Sequence, residues 1–170
     1  MTRRDFIHKW LVYALGLLPV WLLDAYILPR YPLYGASPML LPLAVAAVAV
    51  LEGAYSGTGF GLGVGLLWEL AYPGGFGGLV LFLALAGMAM GAVSQYALSQ
   101  SFIGCLICAA GTVGLLELLR IARGLLTNAA PLSALLEAAA PEFLSSMAWT
   151  PLVWLLFRAV YRKVGGNKLA

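Results

Sequence analysis

Gly57-Thr58-Gly59-Phe60-Gly61-Leu62-Gly63-Val64-Gly65-Leu66-Leu67-Trp68-Glu69-Leu70 is the stretch on which the reading of this chain turns. Glycines alternate through its first half, and the apolar run that follows carries a single carboxylate. On a helix, Gly57, Gly61 and Gly65 fall on one stripe, and Gly59 and Gly63 on the next. Each stripe is a GxxxG surface on which another helix can approach to backbone contact. In water, each glycine would cost a helix about 1 kcal/mol relative to alanine. In a bilayer, an unpaired amide in hydrocarbon costs more than that, so the helix persists and its bare faces become packing surfaces. A dinucleotide-binding turn is excluded by spacing: the third glycine of GxGxxG is replaced by Leu62, Val64 or Leu66, whichever glycine starts the count. The stretch is expected to be the central, most protein-buried helix of a membrane bundle.

The composition agrees. Of 170 residues, 62% are hydrophobic and 10% charged, with a mean hydropathy of +0.93. Soluble domains carry about 25% charged residues, so this chain lacks the polar surface to coat a globule in water. The length accommodates about six spans of roughly 20 residues and leaves no room for a soluble catalytic domain. The net charge of +3 is concentrated in the tails and suits lipid headgroups better than nucleic acid.

Outward from the glycine stretch, the expected architecture is all-α, a polytopic bundle in one transmembrane domain covering 1–170. Its spans are placed at 10–28, 38–53, 57–72, 77–98, 102–121 and 143–161, with an interfacial helix over 131–140. Pro19 should kink the first span. Ala54 to Thr58 is expected to form a tight loop before the third. Pro73-Gly74-Gly75 breaks the chain after it, and the fourth carries a second GxxxG at Gly87 and Gly91. Cys105 and Cys108 lie in an apolar run with no second pair, which fits buried packing rather than redox or metal chemistry. A cleavable signal peptide is not expected, because the first apolar segment contains Pro19 and Asp24 and leads into Leu28-Pro29-Arg30.

Basic residues set the orientation. With six spans both termini share a side, where Arg3, Arg4, Lys9, Arg162, Lys163 and Lys168 gather, against Arg30, Arg120 and Arg123 opposite. Cytoplasmic termini follow. Asp24, Glu69 and Glu117 then fall near the outer ends of their helices, level with Arg120 and Arg123. Glu117 and Arg120, three apart, can pair on one face, whereas Glu69 must look to another helix or a partner, with Arg120 or Arg123 to serve it. This layer is either a ligand or partner site or a set of interhelical ion pairs. Asp24 reads as an interfacial cap, Glu52 as a loop-end charge reaching water, and His8 as a solvated residue. Ser145 and Ser146 have no histidine to serve them, no metal-ligand cluster is present, and neither catalytic residues nor a cofactor are implied.

The order of these features resembles the MreD family of rod shape-determining membrane proteins. The matching features are Pro42 with its Ala-Val run, Gly57 to Gly65, Leu66-Leu67-Trp68-Glu69, Pro73-Gly74-Gly75 and Gly87/Gly91, over about residues 38 to 95. The family's Gly-Leu-Leu-x-Asp is here closed by Glu69. The resemblance implies a non-enzymatic protein of the bacterial inner membrane that binds MreC near RodA and a class B penicillin-binding transpeptidase, supporting lateral peptidoglycan synthesis. It also implies a distant likeness to the substrate-binding subunits of energy-coupling-factor vitamin transporters. In the alternative reading the chain is such a vitamin or metal uptake subunit, with Trp68, Tyr72 and Tyr34 lining an outward pocket. Against this, Ala14 is followed four residues on by Leu18 rather than by the alanine of an AxxxA docking motif.

Overall fold

A computed structural model of the chain describes residues 3–30, 37–71, 78–96, 101–128 and 131–164. All regular structure among these residues is helical. The order is α1 (Arg3–Leu22), a π-helical turn Leu23–Ile27 running into a 3₁₀ turn Leu28–Arg30, α2 (Leu40–Glu52), α3 (Ala54–Ala71), α4 (Leu79–Tyr96), α5 (Phe102–Leu126) and α6 (Leu132–Lys163). Among the described residues, four helical stretches are long and apolar enough to cross a membrane: Ile7–Arg30, Leu79–Tyr96, Phe102–Leu126 and Leu132–Lys163. The other two helices fall short of that standard for different reasons. α2 has only 13 residues, whereas α3 has the length but is diluted by its glycines, Ser56, Thr58 and Glu69.

α2, not the glycine-rich α3, is the axis of the bundle, which corrects the expectation above. Every residue from Leu40 to Leu51 is buried, and α1, α3, α4, α5 and α6 all pack on it. The physical reason is that a helix apolar on all sides must be enclosed, whereas glycine bares a helix only along particular stripes. At about 1.5 Å per residue α2 spans only about 20 Å, and the protein shields both its ends.

The turn between α2 and α3 is a single residue. Gly53 adopts φ +89°, a left-handed conformation open to glycine, and donates its N–H to Ala49 O at 2.9 Å. The tight loop expected over Ala54 to Thr58 is therefore absent, and α3 begins at Ala54.

α3 runs back along α4 at backbone contact. A Cβ on Gly61 would lie 2.3 Å from Leu83 O, on Gly57 2.6 Å from Gly87 O, and on Gly65 2.6 Å from Val80 Cα. From the other side, a Cβ on Gly87 would meet Gly57 O at 2.3 Å, and one on Gly91 would meet Ala54 N at 2.4 Å. The two GxxxG stripes are thus the two halves of one antiparallel hairpin contact. Ser94 Oγ ties this hairpin to α2 by donating to Val50 O at 3.0 Å.

The expected interfacial helix at 131–140 and span at 143–161 are one continuous helix, α6, of 32 residues with Pro141 and Pro151 inside it. The strong helix formers Leu135-Leu136-Glu137 and Ala138 to Ala140 carry it through Pro141, whose lost hydrogen bond a membrane bundle tolerates. Within the core, Tyr13 stacks on Phe157 at 6.4 Å, and Phe60 meets Phe157 edge-on at 5.7 Å. These contacts, with Val160 against Gly16, set α1 beside the end of α6, so the start of α1 and the end of α6 lie at the same end of the bundle.

Candidate functional site

At the opposite end, α2 begins against a polar network. Asp24, buried in the turn after α1, accepts the Leu40 N–H at 2.8 Å. Ser146 Oγ accepts the Met39 N–H at 2.9 Å and itself donates to Glu142 O at 2.7 Å. Pro42 has no N–H to satisfy, so the buried N-terminus of α2 keeps few free donors. Asp24 is a cap, as its position suggests, but it caps a different helix from its own. Its charge also favours the positive end of the α2 dipole.

Arg120 extends the network. Its Nη1 donates to Glu117 Oε1 at 3.2 Å on the same helix and to Glu142 Oε2 at 2.7 Å on α6. The Glu117 and Glu142 side chains are 8% and 16% exposed, whereas Arg120 is 55% exposed. The guanidinium thus reaches from open surroundings over two sheltered carboxylates. The pairing of Glu117 with Arg120 was legible from their spacing. Glu142 was missed, because it falls between the expected interfacial helix and the last expected span. Ser146 serves as a cap, a role its sequence context does not signal. The signal that would have found Glu142 is the continuity of the Ala- and Leu-rich helix across Pro141.

Glu69 does not join this network. It stands one turn beyond Gly65 on the stripe that faces α4, and its Oε1 is buried with no hydrogen-bond partner among the described residues. Arg120, one of the two partners expected for it, is held by Glu117 and Glu142 instead. Trp68 is half-buried against the core. Tyr34, Tyr72 and the Pro73-Gly74-Gly75 turn lie outside the described residues.

A second polar cluster closes the end at which α1 starts and α6 stops. Glu52, at the last turn of α2, accepts from Lys9 Nζ through Oε2 and from Tyr13 Oη through Oε1, the latter at 2.7 Å. The Lys9 and Glu52 side chains are only 13% and 8% exposed. This overturns the expectation that Glu52 reaches water as a loop-end charge. Its ion pair with Lys9 joins α1 to α2 across 43 residues of sequence, a distance that spacing along one helix cannot reveal. His8 is exposed.

The two glycine stripes of α3 part company. Gly57, Gly61 and Gly65 are consumed by α4. A Cβ on Gly63 would meet nothing within 4 Å, and one on Gly59 would meet only the Trp10 ring at 3.7 Å. These two glycines line a hollow of about 190 Å³ between α1 and α3, and a second hollow of about 340 Å³ lies beside it on α1, closed by Leu67. Cys105 and Cys108 are free, buried thiols in the core. Among the described residues no three His, Cys, Asp or Glu side chains are grouped to hold a metal. Compared with protein-family models, curated proteins and solved structures, the chain matches none of them.

Proposed function

We propose that this chain is a non-enzymatic, MreD-like scaffold of the bacterial inner membrane. Its six helices all traverse the bilayer, its termini are cytoplasmic, and an MreC-like protein is its first partner, with RodA and a class B penicillin-binding transpeptidase nearby. One observation carries the reading. The segment of resemblance, residues 38 to 95, coincides with α2, α3 and α4, the enclosed axis and the glycine-locked hairpin around which the other helices pack. Among the described residues, Pro42, Gly57 to Gly65 and Gly87/Gly91 therefore lie where they build the fold rather than on its periphery. Glu69, the position of the family's acid, ends the locked stripe with one oxygen unpartnered among the described residues, as a residue awaiting a donor from a neighbouring protein would.

In this account the bundle works by presenting shape and fixed charge. Glu69, and Arg120 with its two carboxylates, lie in the outer layer, where they orient the periplasmic part of a neighbour. The test is co-purification of a tagged chain with an MreC-like protein, combined with complementation of cell shape. The wild type should retain the partner. Glu69→Gln should reach the membrane at normal level but lose about tenfold in partner retention, the size of effect expected when a charged acceptor becomes neutral. Full retention and normal rods with Glu69→Gln would remove Glu69 from the interface. A vitamin-dependent rise in melting temperature with no partner retained would assign the chain to transport instead.

A further inference from the structure

The last turns of α6 carry positive charge that no carboxylate of the bundle answers. Tyr13 fixes their level, since its hydroxyl donates to Glu52 while its ring stacks on Phe157, the residue before Arg158. Arg158 therefore stands level with the buried Lys9–Glu52 pair, but on the surface of α6 turned away from the core. Arg162 is exposed on the same side, as are Leu152 and Leu155, at 49% and 63%. Lys163 is exposed beside them. Among the described side chains, the Lys and Arg residues at this end are Lys9, Arg158, Arg162 and Lys163, and the one carboxylate is Glu52, which Lys9 and Tyr13 already occupy. Asp24, Glu69, Glu117, Glu137 and Glu142 belong to the other end. Arg158, Arg162 and Lys163 have no ion-pair partner among the described residues.

We propose that Arg158 and Arg162 bind the phosphate of one anionic phospholipid in the leaflet at this end of the bundle. α6 is long and apolar enough to cross a membrane, so the side that exposes Leu152 and Leu155 is a side for lipid. An arginine set among such residues needs an anion or water to meet its charge. Residues four apart on a helix have Cβ atoms about 5–6 Å apart, so both guanidinium groups reach one phosphodiester, and each brings a forked donor set that fits it. Leu155 and Leu152 follow toward the bilayer centre, along the path of the same molecule's acyl chains. The headgroup is selected by what this end lacks. The ammonium of a zwitterionic lipid meets no free carboxylate among the described side chains, because Glu52 is enclosed and paired. An anionic headgroup adds no cation to a surface that is already positive. The inference stands apart from the scaffold reading: it concerns the purified chain, holds for either sidedness, and its failure leaves the Glu69 test untouched.

The experiment is native mass spectrometry of the full chain released from mixed micelles containing phosphatidylglycerol and phosphatidylcholine in equal amounts. The wild type should retain one phosphatidylglycerol in preference to phosphatidylcholine. Arg158→Gln should weaken that preference about fivefold, and Arg158→Gln with Arg162→Gln about thirtyfold, the effect of one and two basic residues at a membrane surface. Arg30→Gln removes the same single charge from an exposed position at the other end and should leave the preference unchanged. The substituted side chains are exposed, so the variants fold, and an unchanged melting temperature checks it. Equal retention of the two lipids by the wild type overturns the proposal without any variant. An equal fall with Arg30→Gln and Arg158→Gln overturns it too, because net charge rather than a site would then hold the lipid. So does a double variant that keeps the lipid preference but no longer retains an MreC-like partner, since the arginines would then serve a protein.

Discussion

Three neighbouring positions on α3 separate what a glycine does from where it stands. Gly61 has no room for a side chain, because its Cβ would fall 2.3 Å from the Leu83 carbonyl oxygen, and backbone does not yield as the end of a flexible side chain would. Leu62 is 39% exposed, and Gly63 faces open space. Gly61→Leu should therefore destabilise the bundle by about 3 kcal/mol or more, the upper range of overpacking. Leu62→Ala and Gly63→Leu should each stay within about 1 kcal/mol, as surface changes do. Thermal unfolding in mild detergent measures all three, and equal melting points for Gly61→Leu and Gly63→Leu would refute the hairpin contact. The glycine pattern showed that bare stripes exist but not which stripe is used. That choice depends on α4 supplying Gly87 and Gly91 opposite one of them, a match between helices that neither sequence segment contains alone. The same reason separates the charges. Glu117 with Arg120 was legible because both residues sit on one helix, whereas Lys9 with Glu52 and Arg120 with Glu142 needed the packing.

Among the helices, the short α2 asks most of its neighbours. Its apolar sequence from Leu40 to Leu51 offers no face to water, which is the signal that could have marked it as the axis instead of α3. Enclosure leaves its N-terminal N–H groups without water, and the protein supplies Asp24 and Ser146 from the neighbouring helical segments. Asp24→Ala should cost about 2 kcal/mol, the sum of a lost cap and a stranded buried donor. Asp24→Asn keeps an acceptor for the Leu40 N–H and should cost less than half as much. Chemical denaturation of the purified variants checks this, and an equal loss for the two would show that the charge matters rather than the hydrogen bond. α6 teaches the opposite lesson. Pro141 suggested a boundary, yet helix propensity on both sides of it prevails where bundle packing compensates the missing bond.

At the scale of the molecule, the charges named above divide into two layers separated by an apolar core. Lys9, Tyr13 and Glu52 hold one end, and Asp24, Glu117, Arg120 and Glu142 hold the other. Such a division is what alternating traverses of a bilayer would impose, since buried charge is tolerated best near the headgroups. It makes a prediction about sidedness that does not depend on any partner. His8 and Tyr96 lie at the first end and are exposed, Tyr96 by 91%, while the exposed Thr127 follows the last turn of α5 at the second. Cys105 and Cys108 are 1% and 7% exposed and should stay silent toward a membrane-impermeant maleimide. In a background with both replaced by alanine, His8→Cys and Tyr96→Cys should label only from the cytoplasmic side of sealed vesicles. Thr127→Cys should label only from the other side. Labelling of Tyr96→Cys and Thr127→Cys from one side would mean that α5 does not cross, and the two-layer account would fall. Labelling of all three positions with the sides exchanged would keep the bundle but invert it, moving the Arg120 layer to the cytoplasm, out of reach of any periplasmic partner.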